Sequence, residues 1–118
     1  RGGGLASGNS FRAATGAALG DTSKRAALQD YINRLAAADR WASRHVEAYS
    51  ARLAKIIGFP QEAAAKSFAR RQSHWQSIDD HTVQQQQETA DFYQKYGLIT
   101  QPLDVKPTFY RGLQVAQQ

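Results

Sequence analysis

The strongest constraint on the fold is a run of apolar residues at helical spacing in the first half of the chain. From residue 28 to residue 42 they recur at positions i, i+3, i+4 and i+7, which places them along one face of an α-helix. Asp21 or Thr22 supplies a side-chain oxygen that caps the start of this helix. The apolar positions of this face are Leu28, Tyr31, Ile32, Leu35, Ala38, Trp41 and Ala42.

Two further helices are predicted to follow with short connections. His45 and Val46 interrupt the first helix, and an amphipathic helix then ends at Gly58, a residue suited to the left-handed conformation. Pro60 lies near the first position of the next helix. Aromatic residues at inner helical positions are expected to form the core, both here and in the last helix, namely Trp41, Tyr49, Phe68, Phe92, Tyr93 and Tyr96.

The last third of the chain is predicted to hold one more helix between irregular segments. Ser73–Ile78 alternates polar and apolar residues, which is typical of a short strand or an extended linker. Asp79 caps a helix over residues 80–96, in which the run Gln84–Gln87 is expected to be a solvated face. Residues 98–118 contain two prolines and little periodicity, so they predict an irregular tail.

Residues 1–20 differ from the rest because glycine interrupts them six times. Residues 5–14 favour an extended strand that is poor in branched residues and therefore weak on its own, followed by a short helical turn. The polar side chains here suit hydrogen bonding to a small anion, but they suit a plain tight turn as well, and composition favours the turn. These side chains are Ser7, Asn9 and Ser10.

The net charge of +5 raises nucleic acid or an anionic ligand as a partner. Nucleic-acid binding usually needs basic residues concentrated on one face, whereas here they are spread along the sequence with acids between them. A small basic helical module that binds nucleic acid or a partner protein stays open as an alternative.

No pattern of catalytic or metal-binding residues stands out. The chain has no cysteine, its three histidines lack metal-ligand spacing, and neither a Gly-x-Ser-x-Gly elbow nor a phosphate-binding loop is present. We therefore expect no catalytic residue, no cofactor and no metal. The absence of methionine and the start at Arg1 lead us to expect a processed protein or a piece of a longer one.

A series of short blocks resembles the C-terminal third of the aliphatic sulfonate and taurine-type substrate-binding proteins of bacterial ABC importers. The resemblance extends from Gly4 to about Phe109 and follows the order of blocks in that family. The blocks are Gly4–Phe11, Ala38–Ala42, Leu53–Pro60, Phe68–Arg71, Ile78–Asp80, Glu88–Tyr93 and Gly97–Ile99.

The resemblance implies an α/β fold, as the C-terminal segment of a type II periplasmic binding protein. Residues 1–20 would be the second crossover strand and hinge, residues 21–97 the helices that complete the first lobe, and residues 98–118 the irregular tail. It implies a periplasmic protein, not an enzyme, with a signal peptide upstream. The full-length protein would be a monomer. Its ligand would be a sulfonate, its partner would be a membrane permease, and it would not bind nucleic acid. The ligand-binding residues would be Asn9, Ser10 and Ser7.

Overall fold

The computed structural model describes residues 8–71 and 74–116, and within these ranges the chain is helical. Five α-helices and one short 3-10 turn account for the regular structure. Their bounds are α1 Gly16–Gly20, α2 Thr22–Arg44, α3 Val46–Ile57, α4 Gln61–Ala69, α5 Asp80–Lys95 and the 3-10 turn Lys106–Thr108.

The long helix α2 begins and ends where the sequence predicts. Asp21 Oδ1 accepts a hydrogen bond of 2.9 Å from the backbone N–H of Lys24, which satisfies one of the free donors at the start of the helix. At the other end His45 has φ −129° and ψ 52°, which is not helical, so α2 and α3 are separate helices. The His45 ring stacks on the Trp41 indole with their centroids 4.6 Å apart.

The connection between α3 and α4 depends on a glycine. Gly58 has φ 67°, in the left-handed region that glycine adopts without steric cost, and its N–H donates to the Ala54 carbonyl oxygen. The Phe59 N–H donates to the same oxygen at 3.0 Å. Pro60 is the residue before α4 and cannot extend α3. The two helices are therefore joined by a tight turn.

Helix α5 is capped at both ends. Asp79 Oδ1 accepts hydrogen bonds of 2.7 Å from the Thr82 N–H and from the Thr82 hydroxyl. The hydroxyl and backbone donors of Thr82 favour the ionised carboxylate, so they lower the pKa of Asp79 below its ordinary value. At the C-terminus Gly97 has φ 74°, and the Leu98 N–H donates to the Tyr93 carbonyl at 2.8 Å.

The chain divides into two compact units. The first consists of the chain up to Arg25 together with Ser77–Gln114, so it holds α1, the first turn of α2, α5 and the 3-10 turn. The second consists of Ala26–Gln76 and the last residues from Val115, so it holds the rest of α2 with α3 and α4. Within the second unit α3 and α4 pack against each other.

The buried residues of the described chain are small, and this corrects the expectation of an aromatic core. Trp41, Phe92, Tyr93 and Tyr96 are all exposed, with 62% of Tyr96 accessible, so their prediction as core residues was wrong. Helical periodicity identifies an apolar face, but burial also requires a neighbouring element to cover it. Tyr49 and Phe68 do meet, with ring centroids 4.5 Å apart, and both are half-buried. The buried apolar residues are Ala36, Ala42, Ala54, Ala64, Ala90 and Val105.

The predicted α/β fold is contradicted. The described residues contain no strand and no sheet, and 64% of them are helical. Residues 8–15, which belong to the expected crossover strand, and residues 74–79 have no regular secondary structure. A strand is stable only when a neighbouring strand pairs with its backbone, and the described segments offer no such partner. The type II periplasmic binding fold is therefore not supported for this chain.

Candidate functional site

The polar turn predicted as the ligand site is defined here as residues 8–10. Gly8 has φ 70°, a left-handed conformation that glycine adopts without steric cost, and a side chain at this position would be strained. Asn9 and Ser10 follow it, and both are exposed to solvent. Ser7, the third predicted ligand residue, lies outside the described residues. Two of the three predicted residues are therefore side by side on an accessible turn.

The Asn9 side chain is held by helix α5. Its Nδ2 donates a hydrogen bond of 3.0 Å to Gln85 Oε1, across 76 positions of sequence. A carboxamide carries two N–H donors and one carbonyl acceptor, and this bond helps to fix the orientation of Asn9. Ser10, the next residue, is exposed to solvent. The turn thus combines an oriented amide with a hydroxyl that can rotate toward a ligand.

A ring contact fixes the other side of the turn. Phe11 meets Phe109 edge to face, with ring centroids 5.3 Å apart and an angle of 69° between the planes. Contacts of this kind contribute about 0.5–1.5 kcal/mol beyond the burial of apolar area. Because both Phe109 and α5 belong to the same unit as the turn, residues 8–11 are attached at two points to one compact body.

The glutamine run of α5 is more than a solvated face. Gln87 Nε2 donates to the Leu103 carbonyl at 2.8 Å, and Gln87 Oε1 accepts from the Val105 N–H at 3.0 Å. One side-chain amide therefore pairs with a donor and an acceptor of the tail backbone, as a neighbouring strand would. In the same helix, Gln85 accepts the hydrogen bond from Asn9. The sequence interpretation missed both roles, because nothing local marks a glutamine whose partner lies far along the chain.

Basic residues are concentrated in the second unit. Ala26–Gln76 contains eight Lys and Arg against four Asp and Glu, whereas the rest of the chain contains seven against six. Most of the net positive charge therefore lies in the unit of α3 and α4. Three of its four acids are engaged in ion pairs, namely Asp30 with Arg34, Glu62 with Lys66 and Asp39 with Arg71.

Comparisons of the chain with protein-family models, with curated proteins and with solved structures gave no match. Across residues 8–71 and 74–116, no group of three or more His, Asp or Glu side chains is arranged to hold a metal ion. None of the helices in these ranges has the length and apolar character of a membrane span.

Proposed function

We propose that the chain is part of the solute-binding component of an ABC importer in the periplasm, which delivers an alkanesulfonate or a related small organic anion to the membrane permease. The observation that carries the proposal is the exposed turn of residues 8–10, held in place by α5 through the bond from Asn9 to Gln85. The two-lobed α/β architecture has no part in this proposal.

Only the beginning and the end of the stretch that resembles the sulfonate-binding family fall within one compact unit. Asn9 and Phe11 belong to the first block, and they contact Gln85 of α5 and Phe109 of the tail, which lie between and beyond the later blocks. Segments that begin and end the resemblance therefore lie in one compact unit. This supports the proposal that the turn and α5 act as one functional element.

The turn offers the groups that a sulfonate requires. Three sulfonate oxygens accept hydrogen bonds, and hydroxyl, amide and backbone N–H groups at Asn9 and Ser10 are donors of the right kind. Arg12, two residues further on, adds a positive charge near the same segment. Such a site binds its ligand without changing it, so the protein is proposed to act as a receptor and not as an enzyme.

Isothermal titration calorimetry on the protein tests this function. A panel of alkanesulfonates, sulfate and nitrate is titrated, and at least one alkanesulfonate is expected to release heat. Ser10→Ala and Asn9→Ala should each weaken binding about tenfold, because each removes a hydrogen bond to a charged ligand. Ser43→Ala is the control, since Ser43 is exposed in α2 and donates only to the Asp39 carbonyl. Unchanged affinity in both turn variants would remove these residues from the site.

Gln85→Ala separates positioning from contact. Gln85 orients Asn9 but is not proposed to touch the ligand, so its loss should weaken binding less than Asn9→Ala, by about threefold. A Gln85→Ala protein that binds as tightly as the unmodified protein would show that the bond to α5 does not prepare Asn9 for the ligand.

A second candidate function rests on the basic second unit. Eight Lys and Arg against four acids in Ala26–Gln76 favour an anionic macromolecular partner, such as nucleic acid. If this is the function, the 118-residue chain alone should bind duplex DNA with an affinity that falls steeply as salt is raised. Absence of DNA binding at low salt would exclude this second candidate.

A further inference from the structure

Trp41 presents an accessible aromatic face that the proposed transport function does not use. The residue is 48% exposed, although the His45 ring covers one face of its indole, with the centroids 4.6 Å apart and an angle of 13° between the planes. The accessible part of the indole is therefore the opposite face and the edges. In the preceding helical turn Ala37 and Ala38 are exposed, and their side chains are too small to cover the indole.

The His45 ring that supports the indole is fixed by both neighbouring helices. Its Nδ1 lies 2.9 Å from the Trp41 carbonyl oxygen, which can only accept, so the ring nitrogen donates this hydrogen bond. The His45 backbone donates to the Ala42 carbonyl of α2 and accepts from the Tyr49 N–H of α3. A rigid and accessible aromatic face is the feature on which the unpaired bases of a single strand stack.

Two unpaired cations lie beside the indole. Arg44 comes three positions after Trp41 and four after Arg40, so on the helix surface it is a neighbour of both. Neither Arg40 nor Arg44 forms an ion pair with any described residue. Asp39, the acid nearest to Trp41 in the sequence, is paired with Arg71 at 3.1 Å. The surface beside the indole is therefore positively charged.

Helix α3 adds two more cations to this part of the second unit. Arg52 and Lys55 are exposed, lie three positions apart on one side of α3, and have no ion-pair partner in the described part of the chain. Arg52 is seven residues beyond His45, a distance of about 10 Å along the helix axis. Residues 40–55 contain four basic side chains against one acidic one. Several separate cations favour a ligand with several phosphates over a single small anion.

We propose that the junction of α2 and α3 binds single-stranded nucleic acid. One base stacks on the open face of Trp41, and the phosphates next to this base meet Arg40 and Arg44. The strand then continues toward Arg52 on α3. In a duplex the bases are already stacked on one another, so the indole adds nothing to the duplex binding considered above as a second candidate function. The site shares no residue with the turn of residues 8–10, so it is independent of the transport function.

Fluorescence anisotropy with labelled strands tests whether a base is recognised. The probes are a strand of twelve thymidines, an abasic strand of the same length and a duplex of twelve base pairs. The thymidine strand should bind about tenfold more tightly than the abasic strand, because one stacked base is added to the same phosphate contacts. The same assay with a strand of twelve uridines shows whether DNA or RNA is preferred, and a preference of either over the abasic strand supports the site.

Variants of Trp41 identify the stacking residue. Trp41→Leu should weaken the thymidine strand about tenfold and leave the abasic strand and the duplex unchanged, whereas Trp41→Tyr keeps an aromatic ring and should retain most of the affinity. Tyr31→Leu is the control, because Tyr31 is 54% exposed on the same helix, ten positions away. The thymidine strand should also quench the fluorescence of the unmodified protein but not that of Trp41→Leu, which keeps Trp75.

A variant of Arg44 identifies the phosphate contact. Arg44→Gln should weaken the thymidine and abasic strands equally, and it should reduce the slope of log affinity against log salt by about 0.7. Arg34→Gln is the matched control, because it removes the same charge from α2 but Arg34 is already paired with Asp30 at 2.7 Å. Circular dichroism confirms that each variant keeps its helices before affinities are compared.

Three results would overturn the proposal. The first is no binding of the thymidine strand at about 50 mM salt, where phosphate contacts are strong. The second is equal affinity for the thymidine and abasic strands, which would indicate contacts to phosphate alone. The third is full affinity of Trp41→Leu for the thymidine strand. Duplex binding that accompanies the second or third result would support the second candidate function and refute a stacking site at Trp41.

Discussion

Replacing Ser50 with alanine should stabilise the second unit, although the substitution removes a polar group from the middle of α3. Ser50 is 0% exposed, and its Oγ has no hydrogen-bond partner among the described residues. An unpaired buried hydroxyl costs about 1–3 kcal/mol. Serine in a helix interior is also about 0.5 kcal/mol less favourable than alanine.

One effect opposes this gain. Removing the hydroxyl oxygen leaves a small void, and the packing contacts of that oxygen are lost. The void left by one hydroxyl oxygen is no larger than the void left by a methylene group, so this loss is small. We therefore take the lower end of the desolvation range and expect a net increase of about 1 kcal/mol in the free energy of unfolding.

Urea unfolding followed by tryptophan fluorescence is the assay, since both tryptophans, Trp41 and Trp75, belong to the second unit. Ser43→Ala in α2 is the matched control, because its hydroxyl is exposed and donates to the Asp39 carbonyl at 2.9 Å. The control should change stability by less than about 0.5 kcal/mol. A loss of 1 kcal/mol or more in Ser50→Ala would refute the reasoning, because it would show that the hydroxyl makes a bond that the described packing does not contain.

Three other substitutions test the fold. Gln87→Ala should lower the free energy of unfolding by about 2 kcal/mol, because two hydrogen bonds to the tail are lost, and it should speed tryptic cleavage at Arg111. Gln84→Ala is the control and should do neither, because the Gln84 side chain bonds to Glu88 within α5. Gly58→Ala should cost about 1–2 kcal/mol in urea unfolding, because its φ of 67° strains a residue with a Cβ. Asp79 has a lowered pKa, so its stabilising effect is present above its ordinary pKa of 3.8 and is lost as pH falls through the lower folded value. Thermal unfolding of Asp79→Asn should therefore differ from that of the unmodified chain at neutral pH and converge with it in acid; a constant difference would contradict this.

The sequence was informative about helices because helix signals are local. Gly58 ends α3 and Asp79 caps α5 through contacts with residues three or four positions away, which single-sequence reasoning can recognise. The predicted cap at Asp21 is likewise confirmed by its bond to Lys24.

Burial and the polar contacts between distant segments could not be read in the same way. The apolar stripe that includes Trp41 predicts a helix correctly, but the stripe alone does not show whether any element covers it. The partners of Gln85 and Gln87 lie 76 and up to 18 positions away, so no periodic pattern marks them. The turn at Asn9 and Ser10 was found as a candidate site, but its attachment to α5 was not.

The central claim is that the turn of residues 8–10 contributes to a binding site for a small organic anion. Its most direct test is isothermal titration calorimetry with alkanesulfonates, comparing the unmodified protein with Ser10→Ala. The account predicts saturable binding of an alkanesulfonate and a loss of about tenfold in affinity in the variant. No heat from any sulfonate, sulfate or nitrate would contradict the proposed function.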